Sequence, residues 1–245
     1  MFTNNRWKFR LRGVNLPLPI LSCFMQSPYF FLYEIANDFL DCFVGDYWFR
    51  SIYCDNQEDY KKVWQIGYEI ISLFNGTCLL LDPKFPKIEI FQLFDGDIGQ
   101  RDCENELSAN FLEKPDILDE TVIAELLRTN INIRLRLLNK ATEDEGVYLI
   151  LKYFEMKPNW DVYYKILESV ETLSIKENIT MSIDRGKRTR FTNTANNYSL
   201  SGIYSRHGVK KNKKENQTPS MEISEAHNFI RDIAKQYLRR KISPC

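Results

Sequence analysis

Two histidines, His207 and His227, are all the imidazole this chain contains. Its six cysteines, Cys23, Cys42, Cys54, Cys78, Cys103 and Cys245, include no CxxC pair and stand near no histidine doublet. Zinc ligation needs thiolates or imidazoles converging from close spacing, and that pattern is missing. The cysteines read instead as reduced thiols used as small core hydrophobes in a cytoplasmic protein. No apolar run reaches the ~18 residues that a membrane-spanning helix needs, so no membrane association is expected. There is no Walker A loop, no GxGxxG and no GxSxG, which leaves nucleotide hydrolysis and serine hydrolysis without support. Asp95, Asp97, Asp102 and Glu104 lack the ordered D-x-D-x-D-G spacing of a calcium loop. No internal repeat is found, and no cofactor or metal is expected.

What the chain does have is 245 residues, 44% hydrophobic content and 13% aromatics, enough for packed cores and against global disorder. Its net charge of zero hides a segregation. Asp95 to Glu120 holds nine acidic residues against Arg101 and Lys114, whereas Arg185 to Lys214 carries nine Lys or Arg and no acid. The basic stretch is able to meet an anionic partner or the chain's own acidic segment.

Arg6, Lys8, Arg10 and Arg12 precede an apolar VNLPLPILSCFM, which mimics the charged and hydrophobic regions of a signal peptide. Pro17 and Pro19 would break such a segment, and no small-x-small cleavage site follows. Trp7 to Arg12 alternates with period two, as a half-exposed strand does. Tyr29 to Tyr33 is an aromatic run with strand propensity. The spacing of Tyr60, Val63, Trp64, Gly67, Ile70, Ile71 and Phe74 predicts a helix over about 57–74, capped by Asp55 or Asn56 and stopped by Asn75-Gly76. Thr77–Leu81 and Lys87–Leu93 read as strands around an Asp82-Pro83 turn, with Asp95-Gly96-Asp97 closing the hairpin. The acidic stretch 95–120 reads as a loop, 119–128 as a helix, and Ile131 to Leu137 as a strand, because its alternation is set above its helix-friendly leucines.

From Thr142 the period changes to 3.6. Thr142-x-x-Glu145 has the form of a capping box, with Val147, Ile150, Leu151 and Phe154 on one helical face. Pro158-Asn159 breaks the chain before a helix lined by Trp160, Tyr163, Leu167, Val170 and Leu173. Arg185 to Ala195 predicts a third helix. Lys210 to Pro219 reads as a solvated loop, and a final helix over Met221–Arg240 follows a cap at Thr218 or Ser220. The fold class is therefore α+β, with a mixed strand and helix part over 1–140 and a helical bundle over 141–245.

The stretch Arg190–Gly208, lodged between the third and last helices, has the densest grouping of side chains able to bind or react. His207 is suited to acid/base work because an imidazole ordinarily titrates near neutrality. Arg206 or Arg190 would hold an anionic phosphate, Asn196 would orient either group, and Asn197, Ser201, Lys210 and Lys211 would contact substrate. A purely structural reading stands beside this one, in which Arg206 and His207 cap a helix or pair with Glu168 or Glu225. His227, near the apolar face of the last helix, is expected to pack or hydrogen-bond rather than react.

The succession Trp160…Tyr164-Lys165-Ile166…Glu168, Arg190-Phe191…Thr194-Ala195-Asn196…Ser201-Gly202…Arg206-His207 and Met221…Glu225-Ala226…Ile230-Arg231 resembles a group of uncharacterised bacterial proteins. Their C-terminal helical part is similar to HEPN domains, and the resemblance covers roughly residues 142–245. It implies an RNA-directed effector of phage-defence or toxin type, a metal-independent ribonuclease acting through His207 with Arg206 or Arg190. It also implies RNA as partner, a homodimer through the helical domain, and a protein partner encoded nearby. Active HEPN ribonucleases separate the Arg and His by several residues, whereas Arg206 and His207 are adjacent and so point in different directions on a helix. The alternative function is a non-catalytic binding or regulatory module whose basic loop docks a nucleic acid or an acidic protein.

Overall fold

A computed structural model describes residues 6–12, 25–37, 42–99, 112, 124, 132–208 and 219–242. All but residue 124 of the expected helix over 119–128, most of the acidic stretch 95–120, and the basic loop with Lys210 and Lys211 lie outside these residues. The fold is α+β, and the chain divides into two compact units, Met1–Glu145 and Gly146–Cys245.

The first unit is an antiparallel sheet of β1 (Trp7–Arg12), β2 (Phe31–Asn37), β3 (Cys42–Arg50), β4 (Glu89–Asp95) and the two-residue β5 (Ile98–Gly99). Their spatial order is β2-β3-β1-β4-β5. The alternation of β1 sends Trp7, Phe9 and Leu11 into the core. Phe9 stacks on Phe49 at 4.4 Å and meets Trp64 edge-on at 6.4 Å. Trp64 belongs to α1 (Tyr60–Leu81), which packs on the sheet. The helix crosses it closely at Gly67, where a Cβ would lie 2.3 Å from the Phe9 ring.

Four sequence expectations fail here, each for a physical reason. The helix does not stop at Asn75-Gly76 but runs through Thr77–Leu81, which is therefore not a strand. Asn75 is buried, and its amide accepts from Ile88 N at 2.9 Å and donates to Ile88 O at 2.8 Å. That pairing uses Asn75 as a tertiary hydrogen-bonding group, not as a helix stop. The stop comes at Asp82, whose Oδ1 accepts from Lys84 N across Pro83, while Asp59 rather than Asp55 or Asn56 caps the start. Asp95-Gly96-Asp97 turns β4 into β5, with Gly96 at φ +60°, rather than closing a hairpin with 77–81.

The predicted strand over 131–137 is instead α2 (Ile133–Ala141). Asn132 caps it by accepting from Arg134 N, and Leu135, Leu138 and Ala141 bury one helical face. Ile133, which the alternation would have buried, is exposed. The leucines' helix propensity and the cap outweigh seven residues of alternation. Cys54 and Cys78 are free and buried, used as small hydrophobes.

The second unit is helical throughout its described residues: α3 (Glu145–Glu155), α4 (Trp160–Lys176), α5 (Arg185–Asn196), the short α6 (Tyr198–Ser201) and α7 (Ile223–Ile242). Thr142 does not open a capping box; it ends α2, and its hydroxyl donates to Asn139 O. Asn159 caps α4 and Asp184 caps α5. Tyr163 meets His227, while Tyr237 and Lys241 both meet Glu177, so α4 and α7 run parallel. Arg188 pairs with Glu171, and Phe191 with Trp160 and Tyr164, so α5 returns antiparallel to α4. No helix among the described residues is long and apolar enough to cross a membrane.

Candidate functional site

The polar side chains of Arg190–Gly208 do converge, but largely on each other's backbone. Past α5 the chain turns through α6 and a 3-10 turn at Gly202–Tyr204, with Gly202 at φ +60°, and folds back on the helix end. Arg206 N donates to Ala195 O at 2.7 Å, and Ser201 Oγ donates to Thr194 O at 2.8 Å. Thr194 is buried at the centre of this knot: its hydroxyl donates to Arg190 O and accepts from Met221 N at 3.0 Å. Asn197 is also buried, and its Oδ1 caps α6 by accepting from Ser199. Ser201 and Asn197, expected to contact substrate, are thus committed to holding the fold. Asn196 Oδ1 is buried and meets no donor among the described residues, a cost of about 1–3 kcal/mol for an orphaned acceptor.

Both arginines of the expected phosphate clamp are answered by carboxylates. Arg190 makes a two-pronged pair with Glu225 of α7 at 2.9 and 3.0 Å and donates to Ser220 O. Arg206 lies 4.0 Å above the Tyr164 ring and 3.3 Å from Glu168 of α4. Arg206 therefore pairs with Glu168 as the structural reading has it, while Glu225 takes Arg190. A guanidinium whose charge is met by a carboxylate has little left for a transferring phosphate. The imidazole of His207 is half-exposed and has no hydrogen bond among the described residues; only its carbonyl is engaged, by Ser205.

His227, expected to pack or hydrogen-bond, does both on the inner side of α7. Its Nδ1 lies 2.7 Å from Tyr163 Oη, and its Nε2 is buried with no partner. Arg231, one turn further along α7, also keeps a buried Nε without a partner. Burial lowers the His227 pKa, and the charges of Arg231 and Lys235 lower it further. Lys235 is lowered likewise, first by burial and then by Arg231, with Asp232 acting the other way. His227, Arg231 and Lys235 follow the four-residue spacing that stacks side chains along one helix face. That spacing was visible in the sequence, but the unpartnered nitrogens were not, because they depend on which groups the neighbouring helices supply.

Among the described residues no group of three His, Cys, Asp or Glu is placed to hold a metal ion. Asp95, the first acid of the acidic stretch, is engaged by Arg6 at 2.6 Å, which holds its carboxyl below the usual range. No family model, no curated protein and no solved structure matches this chain.

Proposed function

We propose that this chain is a non-catalytic RNA-binding module that takes phosphates along α7. The observation carrying this reading is the row His227, Arg231 and Lys235: Arg231 and Lys235 are half-buried cations one turn apart, His227 lies beside them, and the row holds two buried nitrogens without partners among the described residues. Crowded cations of this kind are stabilised by an anion, and a polyanion that spans successive turns of the helix satisfies them together. The carboxylates on Arg190 and Arg206 argue in the same direction, since they leave His207 without a free guanidinium beside it. RNA binding measured against salt tests the proposal. Arg231→Ala and Lys235→Ala should weaken binding about equally for all sequences and reduce the slope of log K against log salt by about 0.7 for each lost contact on a single strand. An unchanged slope would remove the reading.

A ribonuclease of the HEPN type is the second reading, supported by the half-exposed, unpaired imidazole of His207. Expression in bacteria separates the two. Growth arrest and RNA cleavage that His207→Ala abolishes would favour the enzyme, whereas cleavage-free binding that survives His207→Ala favours the module.

A further inference from the structure

The sheet of the first unit has a second face, turned away from α1. The alternation that buries Trp7, Phe9 and Leu11 places Lys8, Arg10 and Arg12 on that side. Register sets Trp48 opposite Arg10 and Tyr33 opposite Trp48, so the rings and cations of three strands share one surface.

They are layered on one another. The Arg12 guanidinium lies 4.9 Å from the centre of Phe91, and that of Arg10 lies 5.6 Å from Phe91 and 5.9 Å from Trp48. Arg50 lies 4.9 Å from Tyr33, while Trp48 and Phe94 approach to 4.9 Å. Phe91 is 42% exposed, so its ring is open to a flat partner. The Trp48 indole N–H meets no acceptor among the described residues. On this face Asp46 pairs with Arg10, Asp97 reaches Lys8 from the β4–β5 turn, and register sets Glu89 opposite Arg12. Arg12 forms no ion pair among the described residues, and Lys8, Arg10, Arg12 and Arg50 outnumber Asp46, Glu89 and Asp97 on this surface.

We propose that this sheet face binds single-stranded RNA by stacking bases on its arginine and aromatic layers. Unpaired bases stack on rings and on guanidinium planes alike, and the backbone phosphates meet the same cations. A duplex keeps its bases stacked on each other and would leave Phe91 and Tyr33 unused. An acidic polypeptide would meet the cations but offer the rings nothing flat. The face thus names single strands as the form of RNA bound, deepening the RNA-binding reading while standing on different residues from the α7 row.

The test is fluorescence anisotropy of the full chain with a labelled oligouridylate, with an RNA duplex of equal length, and with polyglutamate as competitor. Phe91→Ala and Arg12→Ala lie at exposed positions, and Arg12→Glu serves as a second change at the same site, each checked by thermal melting. Phe91→Ala should weaken single-strand binding about tenfold, Arg12→Glu should weaken it further than Arg12→Ala, and duplex binding should be little changed. Equal affinity for duplex and single strand, or displacement by polyglutamate that Phe91→Ala does not alter, overturns the proposal. Loss of binding in Arg231→Ala and Lys235→Ala but not in the sheet variants leaves the α7 reading standing and removes this one. The converse pattern removes the α7 reading and keeps this one. No binding by the unaltered chain removes both.

Discussion

In the first unit Arg12 lies over the Phe91 ring and forms no ion pair among the described residues, whereas in the second Arg188 and Arg190 are each met by a two-pronged carboxylate from another helix. Arg10 and Arg206 combine the two modes, each over a ring and each paired, with Asp46 and Glu168. The difference is one of availability. A guanidinium on a ring keeps its N–H groups pointing outward, and the ring costs it no charge. A guanidinium in a two-pronged pair with Glu has its donors and its charge occupied, and its role is to fix one helix against the next. Arginine content alone therefore says little about where a phosphate will bind. Among the described cations of the second unit, Arg231 and Lys235 on α7 crowd each other beside His227.

The sharpest way to break this comparison is to disturb what holds each surface in place. Asn75→Ala leaves Ile88 N and O without their partner in the core of the first unit. A loss of about 3 kcal/mol is expected by denaturant unfolding, from two orphaned backbone groups at about 1–3 kcal/mol each. Gly67→Ala should cost about 2 kcal/mol, because Phe9 is wedged between Phe49 and Trp64 and cannot swing away. Both changes should lower amide protection in α1 more than in α4 and α7. If protection falls equally in the two units, the units are one cooperative body and the comparison loses its energetic meaning.

Glu225→Gln removes the carboxylate that closes Arg190 and should cost about 1 kcal/mol, with α5 and α7 losing protection. The loss should shrink at high salt, whereas that of Gly67→Ala should not. The smallest effects are those of pH, and their signs are opposite in the two units. Burial raises the Asp55 carboxyl from 3.8 to about 6 in the folded first unit. The folded state then binds more protons than the unfolded one between these values, so this contribution to stability is full below 3.8 and is lost as pH rises through 6. Asp55→Asn should accordingly stabilise at pH 8 by about 1 kcal/mol once the site's partial exposure is discounted. His227, by contrast, is lowered from 6.5, so its contribution is present above 6.5 and fades as pH falls through its lower folded value. Bound RNA should raise the His227 pKa, read from its imidazole proton shifts with and without RNA, if the α7 row contacts phosphate.

The parts of the fold that were legible in the sequence are those where one side-chain period dominates. Trp7–Arg12 alternates cleanly and is a strand, and Trp160, Tyr163, Leu167 and Val170 repeat at helical spacing and lie on one face of α4. Where two signals competed, the local one misled. Asn75-Gly76 has the chemistry of a helix stop, yet Asn75 finds its partners thirteen residues away. Ile131 to Leu137 alternates, yet its leucines pack as a helix. Cys42–Arg50 was not read as a strand, although Tyr47, Trp48 and Phe49 have strand propensity, and it pairs with both β1 and β2. At the candidate site, the residue types of Arg190–Gly208 were legible and their allegiances were not. Glu225 and Glu168 reach Arg190 and Arg206 across 35 and 38 residues of sequence, a proximity that only the helix packing creates.

The parallel course of α4 and α7 has a consequence for how the second unit is made. Tyr163 and His227 are 64 residues apart in sequence, as are Glu177 and Lys241. In an up-and-down bundle, consecutive helices zip together through short connections; here the last helix must be synthesised and brought back past α5 before α4 acquires its main partner. Closing so long a stretch of chain costs entropy before any contact repays it, which slows folding relative to other helical proteins of this size. On the ribosome, α4 emerges well before α7, and its apolar stripe of Tyr163, Ile166 and Val170 waits uncovered in the interval. This unit, helical throughout its described residues, should thus depend on chaperones during synthesis in the manner of a sheet with distant strand partners.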